Sequence, residues 1–477
     1  MPTATSTDDQ YEVILVGSGI ASSFFLHGLL RAPRVPRRIL VLEAGGRYEH
    51  AELLRRPRHL LTESPGLFHN QTPEKPWQFT RAFGGGSNCW FGSTPRQLPE
   101  DFQMRSRFGV GTDWPVSYDE LEPFYADAEQ LLVVSGANPM PYPMSRPYPL
   151  PPHRFSEPDE LLRRAHPHAF FHLPTARASQ AGPRNPCCNN GVCALCPVDA
   201  KFTVANGLSA PYEHPAVTLL TGAPVTHLET SGSRITGVAY RHQGRDRVAR
   251  AELVVLGANA LFNPFLLLRS GLDHPQTGLG LCEQVGVKAM ITLAGLKNLQ
   301  GSTITTGLGF NDLLAAPRDE RGAFLYHTVN RATNLSLQPG RELCRLEVIV
   351  AIEDLRQERN RVTAPATGDR PVVTYHGHSD YAQRTVARLP DLLADYLAPL
   401  PVEKLEISGL RPTESHIQGT TVMGSDPATS VVDRHCLHHT ARNLVVLGSG
   451  NFPTASPANP SLTIAALALF SAHHLRA

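Results

Sequence analysis

Charge of one sign is missing from this sequence. The 44 Lys and Arg stand against 43 Asp and Glu, a formal net charge of +1, and no run of like charges occurs. That balance argues against nucleic acid or an anionic membrane surface as the main partner. The one basic stretch, "RAPRVPRR" at residues 31–38, is broken by prolines and reads as a solvated loop. Long apolar runs are missing too, and the longest near the end, residues 462–470, is too short to span a bilayer. The opening "MPTATSTDDQ" is polar and acidic, with neither an apolar segment nor a twin arginine before the first β-run, so no signal peptide is expected. The simplest expectation is a cytoplasmic protein with reduced thiols. Export beside a partner subunit that carries the signal is compatible with the same sequence. Cysteine is scarce, eight in 477 residues, yet Cys187, Cys188, Cys193 and Cys196 crowd into "NPCCNNGVCALCP".

What is present is an ordinary globular composition. Hydrophobic residues make up 41% and charged residues 18%, enough for a sizeable core in two or three domains or one large composite fold. No internal repeat appears at spacings of about 20–50 residues.

The first strong pattern lies near the start, in "YEVILVGSGIASSFFLHGLL". A β-rich run at residues 13–16 leads into Gly17-Ser18-Gly19 and then a helical pattern; a second β-run at residues 39–42 ends in Glu43. This is the β-α-β order of a dinucleotide fingerprint. Gly17 makes the tight turn, Gly19 lets the backbone approach a pyrophosphate at a helix N-terminus, and Glu43 accepts from the adenosine ribose. Ser22 replaces the third glycine, at some cost in helix–strand closeness. The plainer alternative is a glycine turn in an ordinary α/β unit. Because the site opens the chain and "EAGG" follows the strand, FAD is expected rather than NAD.

Further motifs follow in order: "RAFGGGSNCWFGSTPR", "DWPVSYDELEPFYADAEQLLVVSG", "AELVVLGANALFNPFLLLRSG", "EDLRQERNRV", "SHIQGTTVMGSDPATSVVD" and "NLVVLGSGNFPTASPANPSLTIAALAL". Together they resemble the glucose–methanol–choline (GMC) flavoprotein oxidoreductases. The likeness is greatest to the bacterial branch of sugar, sorbitol and gluconate dehydrogenase large subunits, with pyranose oxidases nearby. It spans nearly the whole chain, with little to match between about residues 283 and 348. The resemblance implies an α/β (α+β composite) fold, with a Rossmann-like FAD-binding domain and a sheet-plus-helix substrate-binding domain.

Oxidising an alcohol by hydride transfer needs a base for the hydroxyl proton and a flavin N5 for the hydride. A neutral histidine suits the first task. By resemblance, the family's H-x-x-G-T falls on His416, Gly419 and Thr420, and its partner before a proline falls on Asn459. His416 is then the base and Asn459 the orienter of the substrate oxygen; a helix cap or turn role for Asn459 stays open. The helix beginning at Pro460-Ser461 would aim its positive end at the flavin pyrimidine. The resemblance also assigns cofactor contacts to Ala44, Arg81, Gly84, Gly85, Gly86, Ser87, Asn88, Asn451, Pro460 and Ser461. Val225 matches the position whose backbone meets adenine, or is a plain strand residue. Cys89 stands where some pyranose oxidases attach FAD through histidine, so non-covalent FAD is expected, with a thioether link the alternative.

The spacing C-C-x4-C-x2-C matches no standard zinc pairing, since adjacent cysteines serve one tetrahedral ion poorly. They sit more easily on an iron–sulfur cluster, whose several irons spread the thiolates. The resemblance adds that bacterial FAD glucose and fructose dehydrogenases hold a three-iron cluster at a similar segment, relaying electrons to a cytochrome subunit. It thereby assigns Cys187, Cys188 and Cys193 to a 3Fe-4S cluster, with Cys196 a fourth thiol of no fixed role. Structural thiols, free or disulfide-bonded, and zinc stay open.

The expected domains are a discontinuous FAD-binding domain (1–136, 198–280 and 411–477), an insertion or cover at 137–197, and a substrate-binding domain at 281–410. The proline tract "NPMPYPMSRPYPLPPH" reads as linker or cover rather than core. The expected function is FAD-dependent oxidation of a sugar, polyol or related hydroxylated molecule, as a dehydrogenase rather than an oxidase, with electrons leaving to an acceptor protein or a quinone. Two rivals remain: a non-redox GMC-type lyase using the same histidine, and a non-catalytic electron-transfer subunit. Substrate, acceptor and oligomeric state are not readable at this level.

Overall fold

Residues 13–16 and 39–42 are apolar without alternation, the pattern of strands covered on both faces. The computed structural model describes residues 10–56, 66–330 and 344–475; the polar opening at residues 1–9 lies outside them. In chain order the main elements are β1 (Gln10–Val16), α1 (Ile20–Leu29), β2 (Ile39–Leu42), α2 (Tyr118–Leu132), β3 (Phe170–His172), β4 (Val217–Leu220), β5 (Val225–Ser231), β6 (Arg234–His242), β7 (Arg245–Leu256) and α3 (Asn259–Arg269). Then come β8 (Val285–Leu293), β9 (Thr305–Gly309), β10 (Phe324–Val329), β11 (Arg345–Ile352), α4 (Asp380–Leu397), β12 (Val402–Leu410), β13 (Leu444–Val446) and α5 (Ser461–His474).

The first sheet runs β4-β2-β1-β7-β6-β5, with β13 also on β7. Its β4, β2, β1, β7 and β13 are mutually parallel, as crossover connections require. The long β7 serves three partners: its first half pairs antiparallel with β6, its second half parallel with β1 and β13. Residues 13–16 and 39–42 are all buried, and α1 packs against α5 beside them.

The second sheet, β12-β8-β11-β10-β9-β3, is antiparallel throughout. α4 lays Ala382, Leu389, Leu393 and Leu397, spaced at helical intervals, on Val287, Ala289, Val348 and Val350 of that sheet. Ser379 caps this helix by accepting from the Ala382 amide.

Two local features add to this picture. The "RPVVTYHG" run forms Val372–Thr374, which belongs to a separate three-stranded sheet with Arg361–Thr363 and His69–Asn70. The proline tract is not merely cover: Met140, Tyr142 and Tyr148 are buried in the main core, and the two tyrosine hydroxyls bond each other at 2.9 Å. The prolines keep the tract out of helix and sheet, yet its two tyrosines still find apolar surface. No helix among the described residues is long and apolar enough to cross a membrane.

Candidate active site

The β1–α1 turn is shaped by close backbone approach. Gly17 has φ +91°, and a Cβ there would lie 2.6 Å from the Gly257 carbonyl oxygen. Gly19 caps α1 and faces open space, with no side chain bonded to the first turn. Ser22 is fully buried, and its hydroxyl fills the place where a side chain on Gly257 would stand. The closeness given up by a serine at the third fingerprint position is thus recovered by a glycine at the end of β7.

Glu43 closes β2 with a buried carboxylate. One oxygen accepts from the Ser18 amide (3.1 Å) and hydroxyl (2.6 Å), the other from the Gly45 amide (2.7 Å). Burial raises its pKa against those hydrogen bonds and Arg81. Ala44 is half-buried and its carbonyl accepts from the exposed Arg81 at 3.2 Å. The backbone ahead of Val225 is laced to the same strand end: Gly222 donates to the Gly45 carbonyl and Ala223 to that of Glu43.

The glycine loop folds over this turn. Gly84 (φ +87°) and Gly85 (φ +52°) take left-handed conformations, and the Gly84 amide donates to the Ser18 hydroxyl at 3.2 Å. Ser87 Oγ donates to the Gly84 carbonyl and accepts from the Val204 amide. Gly86 leaves open space. Asn88 spends its amide on the Phe83 carbonyl, and Asn451 spends its own on Thr421 and the Val446 carbonyl, so both shape the cradle. Cys89 is a half-buried thiol whose pKa burial raises, against Thr80 and Lys201. Glycines open to a ligand and an uncapped helix terminus fit a bound dinucleotide.

His416 Nε2 lies 3.5 Å from Asn459 Nδ2, and its Nδ1 lies 2.7 Å from Gln284 Oε1. Asn459 Oδ1 is buried without a protein partner. Pro460 and Ser461 open α5, whose first turn also has no side-chain cap. Burial first, then Arg411, His327 and Lys75, depress the His416 pKa to about 3. The imidazole is therefore neutral at ordinary pH, as a proton acceptor must be.

The turn bearing His416 is held by a buried ion pair between Lys75 and Glu283. Glu283 also accepts from Thr413 Oγ1 (3.1 Å) and from the amides of Glu414 (3.2 Å) and His416 (3.3 Å), while Lys75 donates to the Pro412 carbonyl (3.0 Å). Burial lowers Lys75 to about 7, against the acidic Glu414 and Asp354, and raises Glu414 to about 7, against Arg411 and Lys75. Lys75, Glu283 and Gln284 escaped the sequence reading. The signal available was weak: a lysine and two residues in the stretch that motifs matched least.

The cysteine segment does not gather as an iron–sulfur assignment requires. All eight cysteines are free thiols, and among the described residues no three His, Cys, Asp or Glu side chains are grouped to hold a metal. Cys188 is exposed; Cys187 Sγ sits 3.3 Å from Thr303 Oγ1; Cys196 Sγ accepts from the Ala200 amide; Cys193 is buried. Nothing in this arrangement of the described residues supports a 3Fe-4S cluster or zinc.

The fold matches solved flavoenzymes along its length. An FAD-dependent oxidoreductase from Chaetomium thermophilum aligns at TM-score 0.69 and 16% identity, over 98% of this chain and 99% of that one. Formate oxidase of Aspergillus oryzae aligns at TM-score 0.65 and 14% identity, over 97% of each. These define the class: a flavoenzyme fold. The GMC oxidoreductase family models match residues 11–286 and 371–468, and the chain belongs to that family. It is an FAD-dependent oxidoreductase acting on alcohol groups. Among its relatives are the fructose dehydrogenase large subunit of Gluconobacter japonicus (27% identical, 97% of each chain) and paromamine 6'-oxidase of Streptomyces fradiae (28% identical, 98% of this chain and 92% of that one).

Proposed function

We propose that the enzyme oxidises an alcohol carbon of a sugar, polyol or related hydroxylated molecule where His416 meets Asn459. The observation that carries this reading is a neutral imidazole set 3.5 Å from an amide donor. Bound FAD supplies the hydride acceptor. His416 takes the hydroxyl proton at Nε2, and Asn459 donates to the substrate oxygen and orients it. Gly17, Gly19, Ser22, Glu43, Ala44 and Arg81 hold the nucleotide end, with Val225 at the adenine. The 84–88 loop, Asn451, Pro460 and Ser461 border the ring end. Cys89 stays a thiol, since burial disfavours its thiolate, and FAD is held without a covalent link.

The two sheets support a division into a discontinuous FAD-binding domain (1–136, 198–280 and 411–477) and a substrate-binding domain at 281–410. The 137–197 segment lends β3 to the latter's sheet. We assign the enzyme as a dehydrogenase that passes electrons to an acceptor protein or quinone. The full-length likeness to a protein named as a dehydrogenase large subunit supports this.

Anaerobic mixing of holoenzyme with fructose, sorbitol, gluconate and paromamine tests the reading. At least one is expected to bleach the flavin absorbance, and His416→Gln to slow bleaching by about 10²–10⁴-fold. An unaltered rate in that variant overturns the base assignment. Faster reoxidation by a quinone analogue than by dissolved oxygen is expected; the reverse order makes the enzyme an oxidase.

A further inference from the structure

Gln284 lies one residue before β8, and its position follows from a backbone register. Cys282 and Gln418 form an antiparallel bridge, with the Cys282 amide donating at 3.1 Å and the Gln418 amide at 2.9 Å. Carried two residues along, that register sets Gln284 opposite His416 on the same face.

The hydrogen bonds then admit one assignment. Gln284 Nε2 lies 2.7 Å from the Ser456 carbonyl oxygen and 2.8 Å from that of Ala458. Carbonyl oxygens only accept, so both hydrogens of the amide nitrogen are spent there and the amide cannot be turned around. Its oxygen therefore faces His416 Nδ1, at 2.7 Å, and an amide oxygen also only accepts. Nδ1 carries the ring hydrogen, and Nε2 keeps its lone pair toward Asn459. The same amide ties the His416 turn to the carbonyls of the 456–458 turn, which leads directly into Asn459.

We propose that Gln284 is a positioning residue that fixes the tautomer of His416, leaving Nε2 as the proton acceptor, and holds the His416 and Asn459 turns in register. The inference rests on the reading of His416 as the base. Its role is distinct from that of the surrounding charges. Burial, Arg411, His327 and Lys75 all disfavour imidazolium, and Glu283 holds the His416 amide with Glu414 alongside. None of these groups selects between the two neutral tautomers; only a hydrogen bond to one ring nitrogen does so.

Holoenzyme labelled with [15N]histidine tests this directly. Among the signals of 21 histidines, those of His416 are the ones absent from His416→Gln. They are expected to show a protonated Nδ1 and a bare Nε2; a hydrogen on Nε2 overturns the proposal whatever any variant does. In Gln284→Met the two nitrogens should average toward each other, and flavin bleaching should slow by about 10- to 100-fold with KM little changed. Gln284→Glu keeps an acceptor opposite Nδ1, so the tautomer should persist. Its carboxylate favours imidazolium, which moves the acidic limb of kcat/KM to higher pH. Wild-type ring signals and bleaching rate in Gln284→Met overturn the proposal. Full bleaching by His416→Gln overturns the base reading instead, and the ring signals alone then decide the role of Gln284.

Discussion

Ser22 and Gly257 show how two residues can share one steric requirement. A fingerprint glycine normally lets helix and strand approach; here Ser22 fills the space that Gly257 leaves by lacking a side chain. Gly257→Ala should therefore collide with the Ser22 hydroxyl, lower the melting temperature and reduce bound FAD, at a cost of about 1–3 kcal/mol. Ser22→Gly in the same chain should restore both. Wild-type melting and flavin content in Gly257→Ala alone would contradict the packing argument. The departure at Ser22 was readable in the sequence, but its compensation was not, because Gly257 lies at the far end of another strand. The Lys75–Glu283 pair was invisible for the same reason, being 208 positions apart.

At the scale of elements, α2 is anchored by one buried cation. Arg96 is fully buried; its Nε and Nη2 each donate to Glu129 at 2.7 Å, and its Nη1 donates to Glu122 at 2.9 Å. Both carboxylates project from α2, so this guanidinium joins the helix to the strand-like segment after the glycine loop. Arg96→Met leaves two carboxylates near the core without their partner, which costs about 3–5 kcal/mol. Melting should fall by roughly 3–5 °C. A shift under about 2 °C would mean that the carboxylates are already protonated in the native protein. The helix itself was foreseeable from its start: Ser117 and Glu120 form a capping box at its first turn. β3 and the strand at Val372–Thr374 have three residues each, too few to display a period, and only their partners define them.

Across the whole molecule, the proposed cofactor site draws on segments near residues 17–22, 43–46, 81–89, 222–225 and 448–461. A ligand that touches all of them links the beginning, middle and end of the chain. Removal of FAD should therefore lower the melting temperature, and adding it back should raise it in proportion to the logarithm of its concentration. At about 100-fold excess over Kd, linkage supplies ~2.7 kcal/mol. Identical melting of apo- and holoprotein would show that the segments are held together without the ligand.

The sequence by itself determined the class of fold and the identity of the chemistry. Unbroken apolar runs at residues 13–16 and 39–42 specify strands covered on both faces, and glycines and a terminal acid at fixed spacing specify a dinucleotide turn. Local physics writes these patterns, so a local reading recovers them. Only the tertiary structure decided which side chains surround His416, since Lys75, Gln284, His327 and Asn459 come from four distant segments. It also bears on the cysteines, because spacing sets how near thiols lie along the chain, whereas the folding of the loop sets where each sulfur lies. Among the described residues no three of the His, Cys, Asp or Glu side chains are grouped to hold a metal.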